Sequence, residues 1–348
     1  MPAGSLGWHL DCAENPLDLR PAADLILRAI DERRTALPAG TPLVVLMGED
    51  HLMPTHKELQ HLVAKRLRQR GERFTVNFEE PHDFWAKIAT KNMSICPPPG
   101  LEHMPGAYDM DGAAVLSSIL GFDRLPLLHS NIMAFCYHSR VNAGFNDAAR
   151  NGYDLDLKNP LTAAMAAEHF QQTGQTPAKN YTPCQHPIGM AIRNRFMAKQ
   201  ALRHAEQHQA PLILQQTGGE HIFGHESKKY LYQDSLCARF RLAGAAVLPV
   251  FLTSVTDYYG LNVLPAEAHR ELPHSVVIDG LAESEFGNEA AERSFLADIH
   301  AASGHELDFY DVAGQKADYE SRALRHAADL LAAYAAQNPA STPTNAMV

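Results

Sequence analysis

The sequence predicts an α/β fold, a mostly parallel sheet flanked by helices, on three observations. Apolar strand-like runs recur along the chain: Leu43-Val44-Val45-Leu46-Met47, Phe74-Thr75-Val76-Asn77-Phe78, Leu212-Ile213-Leu214, and Ala245 to Leu252. Stretches with helical periodicity separate them, which is the alternation that builds parallel sheets. Two of the runs lead into the same short pattern, Gly48-Glu49-Asp50-His51 and Gly218-Gly219-Glu220-His221. Open α/β sheets place their chemistry at strand ends, so one site assembled from both halves is expected.

Taken in order, residues 1 to 41 read as an irregular lead-in and a helix from Ala22 to Ala36, ended by Pro38-Ala39-Gly40. The strand 42 to 47 follows, then a helix opened by Thr55-His56-Lys57-Glu58, which reads as a capping box. That helix carries Leu59, Leu62, Val63 and Leu67 on one face and stops at Gly71. The next strand, Phe74 to Phe78, runs into Glu79-Glu80-Pro81, making a β-α-β unit with two parallel strands. Residues 90 to 186, with Pro97-Pro98-Pro99-Gly100 and a strand-like Leu125 to His129, read as a largely helical insertion or lid. A helix from Pro187 to His208 leads to the strand 211 to 216, and further strands are expected at 245 to 252, 275 to 279 and 307 to 312. A helix from Lys316 to Ala336 closes a single α/β domain spanning 1 to 336. Residues 337 to 348 read as a disordered tail.

Composition narrows the function classes. The chain has 348 residues with 45% hydrophobic and 20% charged, ordinary globular values. Its formal charge of −10 argues against a surface that tracks nucleic-acid phosphates. The N-terminus shows no secretory signal pattern, and no apolar run is long enough to span a bilayer. Cys12, Cys96, Cys136, Cys184 and Cys237 are scattered without a Cys-x-x-Cys pair, so neither a disulfide framework nor a structural zinc site is expected. A cytoplasmic protein follows, with leaderless secretion as the alternative.

Common catalytic signatures are missing: there is no dinucleotide fingerprint, phosphate loop, nucleophile elbow or zincin helix. What remains is His51, Glu79 or Glu80, Arg193 or Arg195, and His221. Two histidines and a carboxylate would serve a divalent metal, whose bound water is acidified towards neutral pH. Glu49 and Glu220, beside the histidines, would act as ligands, general bases or acceptors that fix an imidazole tautomer. The glycine of each motif is expected to let the backbone turn sharply off its strand. The competing readings are ordinary ones: a helix-capping histidine, a solvated Glu-Glu pair, a salt-bridged surface arginine.

These elements, in this order, resemble the superfamily of ChaN-like haem-binding proteins, erythromycin esterases, and Tiki and TraB proteins. The residues that carry the resemblance are Gly48-Glu49-Asp50-His51, Phe78-Glu79, Arg193-Asn194-Arg195-Phe196-Met197-Ala198 and Gly218-Gly219-Glu220-His221-Ile222-Phe223-Gly224. It covers roughly residues 40 to 255, leaves the insertion unmatched, and favours Glu79 over Glu80 and Arg193 over Arg195. His56 falls where several members carry a further histidine; it either faces inward with Leu59 and Val63 or sits exposed in the first turn.

The resemblance implies one of two functions. The first is a hydrolase that cleaves an ester or amide in a small-molecule or peptide substrate. It would use water activated by His51 and His221, with Glu79 and a divalent metal (Mn, Co, Zn or Fe) or without metal, and Arg193 would stabilise charge on the substrate. The second is a haem- or metal-binding protein of the ChaN type without catalysis, with Tyr108, Tyr137, His138 and Tyr181 walling the porphyrin. Cys184-Gln185-His186 would be a ligand source or a structural loop.

Overall fold

The computed structural model describes residues 7–51, 53–82, 131–132, 135–136, 139–175, 182–223, 232–254, 272–283 and 289–304. The expected strands at 125–129 and 307–312, the helix at 316–336, the tail, and Tyr108, Tyr137, His138, Tyr181 and Gly224 lie outside them.

Seven parallel strands form the main sheet: β1 (Trp8–Asp11), β2 (Leu43–Glu49), β3 (Phe74–Pro81), β4 (Asn142–Asp147), β7 (Leu212–Gly218), β8 (Ala246–Ser254) and β9 (Val276–Leu281). Their spatial order is β1-β9-β8-β2-β7-β3-β4. A two-stranded antiparallel ribbon, β5 (Arg150–Asn151) with β6 (Asp154–Leu155), follows β4. The β-α-β unit is present with both strands parallel, but β7 inserts between β2 and β3 and pairs with each. Leu43 and Phe74 both stand opposite Leu212, so the carboxyl ends of the three central strands are level.

Helices cover both faces. On one lie α1 (Arg20–Thr35) and α2 (Pro54–Gln69); on the other lies α4 (Pro187–Gln207). Further helices among the described residues include α3 (Pro160–Thr173), α5 (Gly219–Phe223), α6 (Leu236–Leu242) and α7 (Glu289–Ser303). Period-2 alternation sends Leu43, Val45, Met47, Val76 and Phe78 into the core under α1 and α2, while Val44, Leu46 and Ile213 pack with Met197, Ala201 and Phe240 on the opposite face. No described helix is long and apolar enough to cross a membrane.

Helix α2 departs from the amphipathic reading: Pro54 through Ala64 is buried on every side. Asn131 donates to both oxygens of Glu58, at 3.0 and 2.9 Å, and the His61 ring lies 5.4 Å from that of Phe135. The capping box is not made. Met53 occupies the cap position, Thr55 Oγ1 donates instead to the Ala282 carbonyl at 2.8 Å, and Glu58 turns to Asn131. A second layer of chain over α2 offers these side chains tertiary partners that outcompete the local cap.

Two strands of the main sheet, besides the short ribbon, are not legible in the sequence. Trp8–Asp11 lies in what reads as the irregular lead-in, and Asn142–Asp147 lies within the stretch assigned to the insertion, yet β4 is an edge strand of the main sheet beside β3. Helix α3 is capped by Asn159, whose side chain accepts from Leu161 N and Thr162 N at 3.1 Å each, and is closed by Gly174 in the left-handed region at φ +69°.

Candidate functional site

The level ends of β2, β7 and β3 deliver the predicted residues to one place. Glu49 ends β2, His51 follows two residues later, Glu79 lies near the end of β3, and His221 sits in the short helix directly after β7. Arg193 and Asn194 reach the same place from α4. Of the sequence-predicted residues, His51, Glu49, Glu79, Arg193 and His221 come together. Glu220 sits half-buried in the first turn of α5 beside them.

Glu79 is the hub. Its Oε1 accepts from Arg193 Nη2 and lies 3.0 Å from His221 Nε2; its Oε2 accepts from Thr217 Oγ1 at 3.0 Å and from the Gly218 amide at 2.7 Å. Burial alone would raise this carboxyl, but the charges of His221, Arg193 and His51 around it hold it well below the usual carboxylate range. Arg193, itself almost fully buried, also donates through Nε to Asp147 at 3.0 Å and through Nη2 at 2.8 Å. Arg150 completes the network: it pairs with Asp147 and donates to the Glu79 carbonyl oxygen at 3.2 Å. Two buried carboxylates thus share two guanidiniums, the condition under which buried charge is tolerated.

The two histidines are held differently. His51 Nδ1 lies 2.9 Å from Glu49 Oε1, and its Nε2 is 3.6 Å from Glu79 Oε2, beyond hydrogen-bond length. Its side chain is 44% exposed. His221 is buried, with Nδ1 on Asn194 Oδ1 and Nε2 on Glu79. Asn194 Nδ2 donates to the Asp234 carbonyl at 2.8 Å, which fixes the amide so that its oxygen faces His221. Nδ1 of His221 therefore carries a hydrogen. Burial pushes the His221 imidazolium down, against the pull of Glu79, whose Oε1 lies 3.0 Å from Nε2.

Behind Glu49 is a feature the sequence did not disclose. Lys57 of α2, wholly buried, places its ammonium on Glu49 Oε1, and Gln60 Nε2 donates to Oε2 at 2.6 Å. Burial pushes the Lys57 ammonium down to about 7 against the pull of Glu79 and Glu80. His56 faces inward as well: its Nδ1 accepts from the Asp50 amide at 3.0 Å, its Nε2 is buried without a partner among the described residues, and burial pushes it down to about 3.

Neither motif glycine has a positive φ, so a sharp turn is not what they provide. They provide space. A Cβ on Gly48 would stand 2.5 Å from Ile222 Cδ1 and 3.0 Å from the Val250 carbonyl oxygen; one on Gly218 would stand 3.1 Å from His51 Nε2. Each motif's glycine makes room for the other motif.

Other expectations resolve locally. Arg195 turns away to Glu168 and Gln172 on α3, at 3.3 and 2.6 Å, so Arg193 is the arginine of the cluster. Its guanidinium is committed to Glu79 and Asp147 rather than turned to a substrate. His186 caps α4, its Nδ1 accepting from Ile188 N at 3.3 Å, and Cys184 is buried and free. Asp147, Arg150, Asn194 and Thr217 joined the site only through the fold; Asn194 alone carried a signal, as a member of the Arg-Asn-x-x-Met-Ala run.

The metal set His51, Glu79 and His221 comes together but does not fit a metal. Both Glu79 oxygens are saturated by four donors, and the Arg193 cation lies on the face a metal would need. Among the described residues, no group of three His, Cys, Asp or Glu side chains is placed to hold a metal ion.

Comparison with known proteins yields distant likeness only. No protein-family model matches the chain, and no curated protein matches it. Among solved structures, a Bacillus cereus protein from structural genomics is 8% identical with a TM-score of 0.39, covering 69% of this chain and 72% of its own. The type III effector HopBA1 is 15% identical at a TM-score of 0.36, covering 69% of this chain and 88% of its own. ChaN of Campylobacter jejuni, described with cofacial haem, is 14% identical at 0.33, covering 62% of this chain and 83% of its own. At such scores the function has to be read from the site's own geometry.

Proposed function

We propose that the chain is a hydrolase in which His51, oriented by Glu49, activates water against an ester or amide carbonyl. The observation that carries this reading is the Glu49–His51 contact at 2.9 Å, which places the hydrogen on Nδ1 and leaves Nε2, 3.6 Å from Glu79 Oε2 on a half-exposed ring, without a hydrogen of its own. An imidazole so held accepts a proton from water as the water attacks, then returns it to the leaving group as the tetrahedral adduct collapses. His221, Glu79, Arg193 and Asp147 form the rigid wall against which His51 is set. The substrate is a small molecule or a peptide end, and no step needs a metal.

Haem binding is the competing reading, and His51 is the histidine of the cluster exposed enough to reach an axial position. One preparation separates the two. Hydrolysis of a panel of nitrophenyl esters and anilides is followed with chelator present, alongside a haemin titration. The hydrolase reading expects turnover that survives the chelator and falls roughly 10²- to 10⁴-fold in His51→Ala, with no Soret shift. A stoichiometric Soret band lost in His51→Ala, without turnover, would overturn it. Turnover abolished by the chelator and restored by a divalent metal would overturn the metal-free step.

A further inference from the structure

We propose that Lys57 keeps His51 available as a base: by neutralising Glu49 from behind, it leaves His51 an uncharged imidazole with its proton on Nδ1 and its Nε2 lone pair open. The inference deepens the role given to His51 above and rests on that reading for its consequence in catalysis.

The argument begins with Glu49. Its side chain is 1% exposed, and a carboxylate withdrawn from water to that degree requires a positive partner. Among the described residues, His51 Nδ1 at 2.9 Å and Lys57 Nζ both touch its Oε1 and could supply charge. Gln60, on Oε2, satisfies a lone pair but brings no charge. If His51 supplied the charge it would be an imidazolium, its Nε2 already protonated and unable to accept from water. A buried carboxylate beside a histidine drives it in that direction, because an adjacent negative charge favours the charged imidazole. Lys57 removes the drive.

The placement of Lys57 suits this task rather than substrate contact. It lies on α2, one turn before Gln60, so both side chains descend on Glu49 from the same helix face. Its side chain is 0% exposed and Glu49 stands between it and His51, so it acts through Glu49 and is a positioning residue. The charges that face it come from two strands, Glu49 on β2 and Glu79 and Glu80 on β3. His51 in turn faces Glu49, Glu79 and, at longer range, Glu80. Below about pH 7, where Lys57 keeps its charge, the inner pair is neutral and Glu49 pulls less on the histidine beyond it.

The test follows the His51 Cε1–H resonance of the full chain against pH, assigned by its loss in His51→Ala. In Lys57→Met the His51 midpoint is expected to rise by about one pH unit, a roughly tenfold gain in proton affinity. Lys57→Arg, which keeps the charge, is expected to stay near wild type, and Lys57→Met/Glu49→Gln to return there because the charge to be balanced is gone. Should Lys57→Met fail to fold, Lys57→Gln, whose amide still donates to Glu49, makes the same comparison. An unmoved His51 midpoint in a folded, charge-free variant overturns the proposal and leaves Lys57 a structural ion pair. The readout needs no turnover, so the shift appears even if no ester or amide is cleaved, an outcome that would sink the hydrolase reading alone.

Discussion

The two Gly-x-x-His motifs share a pattern and a position at neighbouring strand ends, yet their histidines are set up for opposite purposes. In the first, the acid inside the motif, Glu49, grips Nδ1 and the ring reaches out, 44% exposed. In the second, an amide from another element, Asn194, grips Nδ1, and the ring is buried against Glu79. The difference teaches that the motif specifies where a histidine goes, while the residue behind Nδ1 and the depth of burial specify what it does. One histidine is half-exposed; the other is packed into a wall.

If that division is right, the second motif's network is where stability resides. Arg193→Leu leaves Glu79 and Asp147 buried without their shared guanidinium and is expected to cost about 3–5 kcal/mol in denaturant unfolding. His51→Ala, by contrast, should leave the unfolding midpoint close to wild type; equal losses in the two variants would erase the comparison. Acid should act next most strongly, through His56 behind the first motif. Burial holds His56 down to about 3 against an ordinary 6.5, so the unfolded chain binds its proton first. Stability is therefore expected to fall as pH drops from 6.5 towards 3, and His56→Gln should flatten that part of the profile.

The glycines sharpen the contrast further. Gly48→Ala meets Ile222 and the Val250 backbone and is expected to destabilise by about 1–3 kcal/mol. Gly218→Ala meets the His51 ring, which can give way, so it should leave stability nearly unchanged; on the hydrolase reading, turnover drops roughly tenfold through misplacement of Nε2. A reversed order would mean the motifs do not interlock as described. The smallest effect belongs to Thr217→Val, which removes one of four hydrogen bonds to Glu79 and should cost about 1 kcal/mol by thermal or urea unfolding.

Much of this was legible in the sequence because central strands buried on both faces read as continuous apolar runs; Leu43 to Met47 is an example. Edge strands lack that signal. Asn142-Ala143-Gly144-Phe145-Asn146-Asp147 is small and polar, and with β4 unseen, Asp147 was unseen too. Lys57 was hidden for a different reason. A lysine in a helix reads as solvent-facing, and nothing local says that a further layer of chain covers α2 or that a glutamate waits beneath it. The capping box failed on the same count: Thr55 and Glu58 are a good local cap, and tertiary partners claimed both.

The insertion of β7 between β2 and β3 has a consequence for how the chain is made. Synthesis proceeds at roughly 5–20 residues per second, and both early strands leave the ribosome well before Leu212–Gly218, the strand that must lie between them. Until it arrives, β2 and β3 face each other across a missing neighbour, each with an apolar edge unpaired. Such edges are where nascent chains associate wrongly and where chaperones engage. The first half of this protein therefore cannot be released as a finished unit, and fragments ending before Gly218 are expected to aggregate rather than fold.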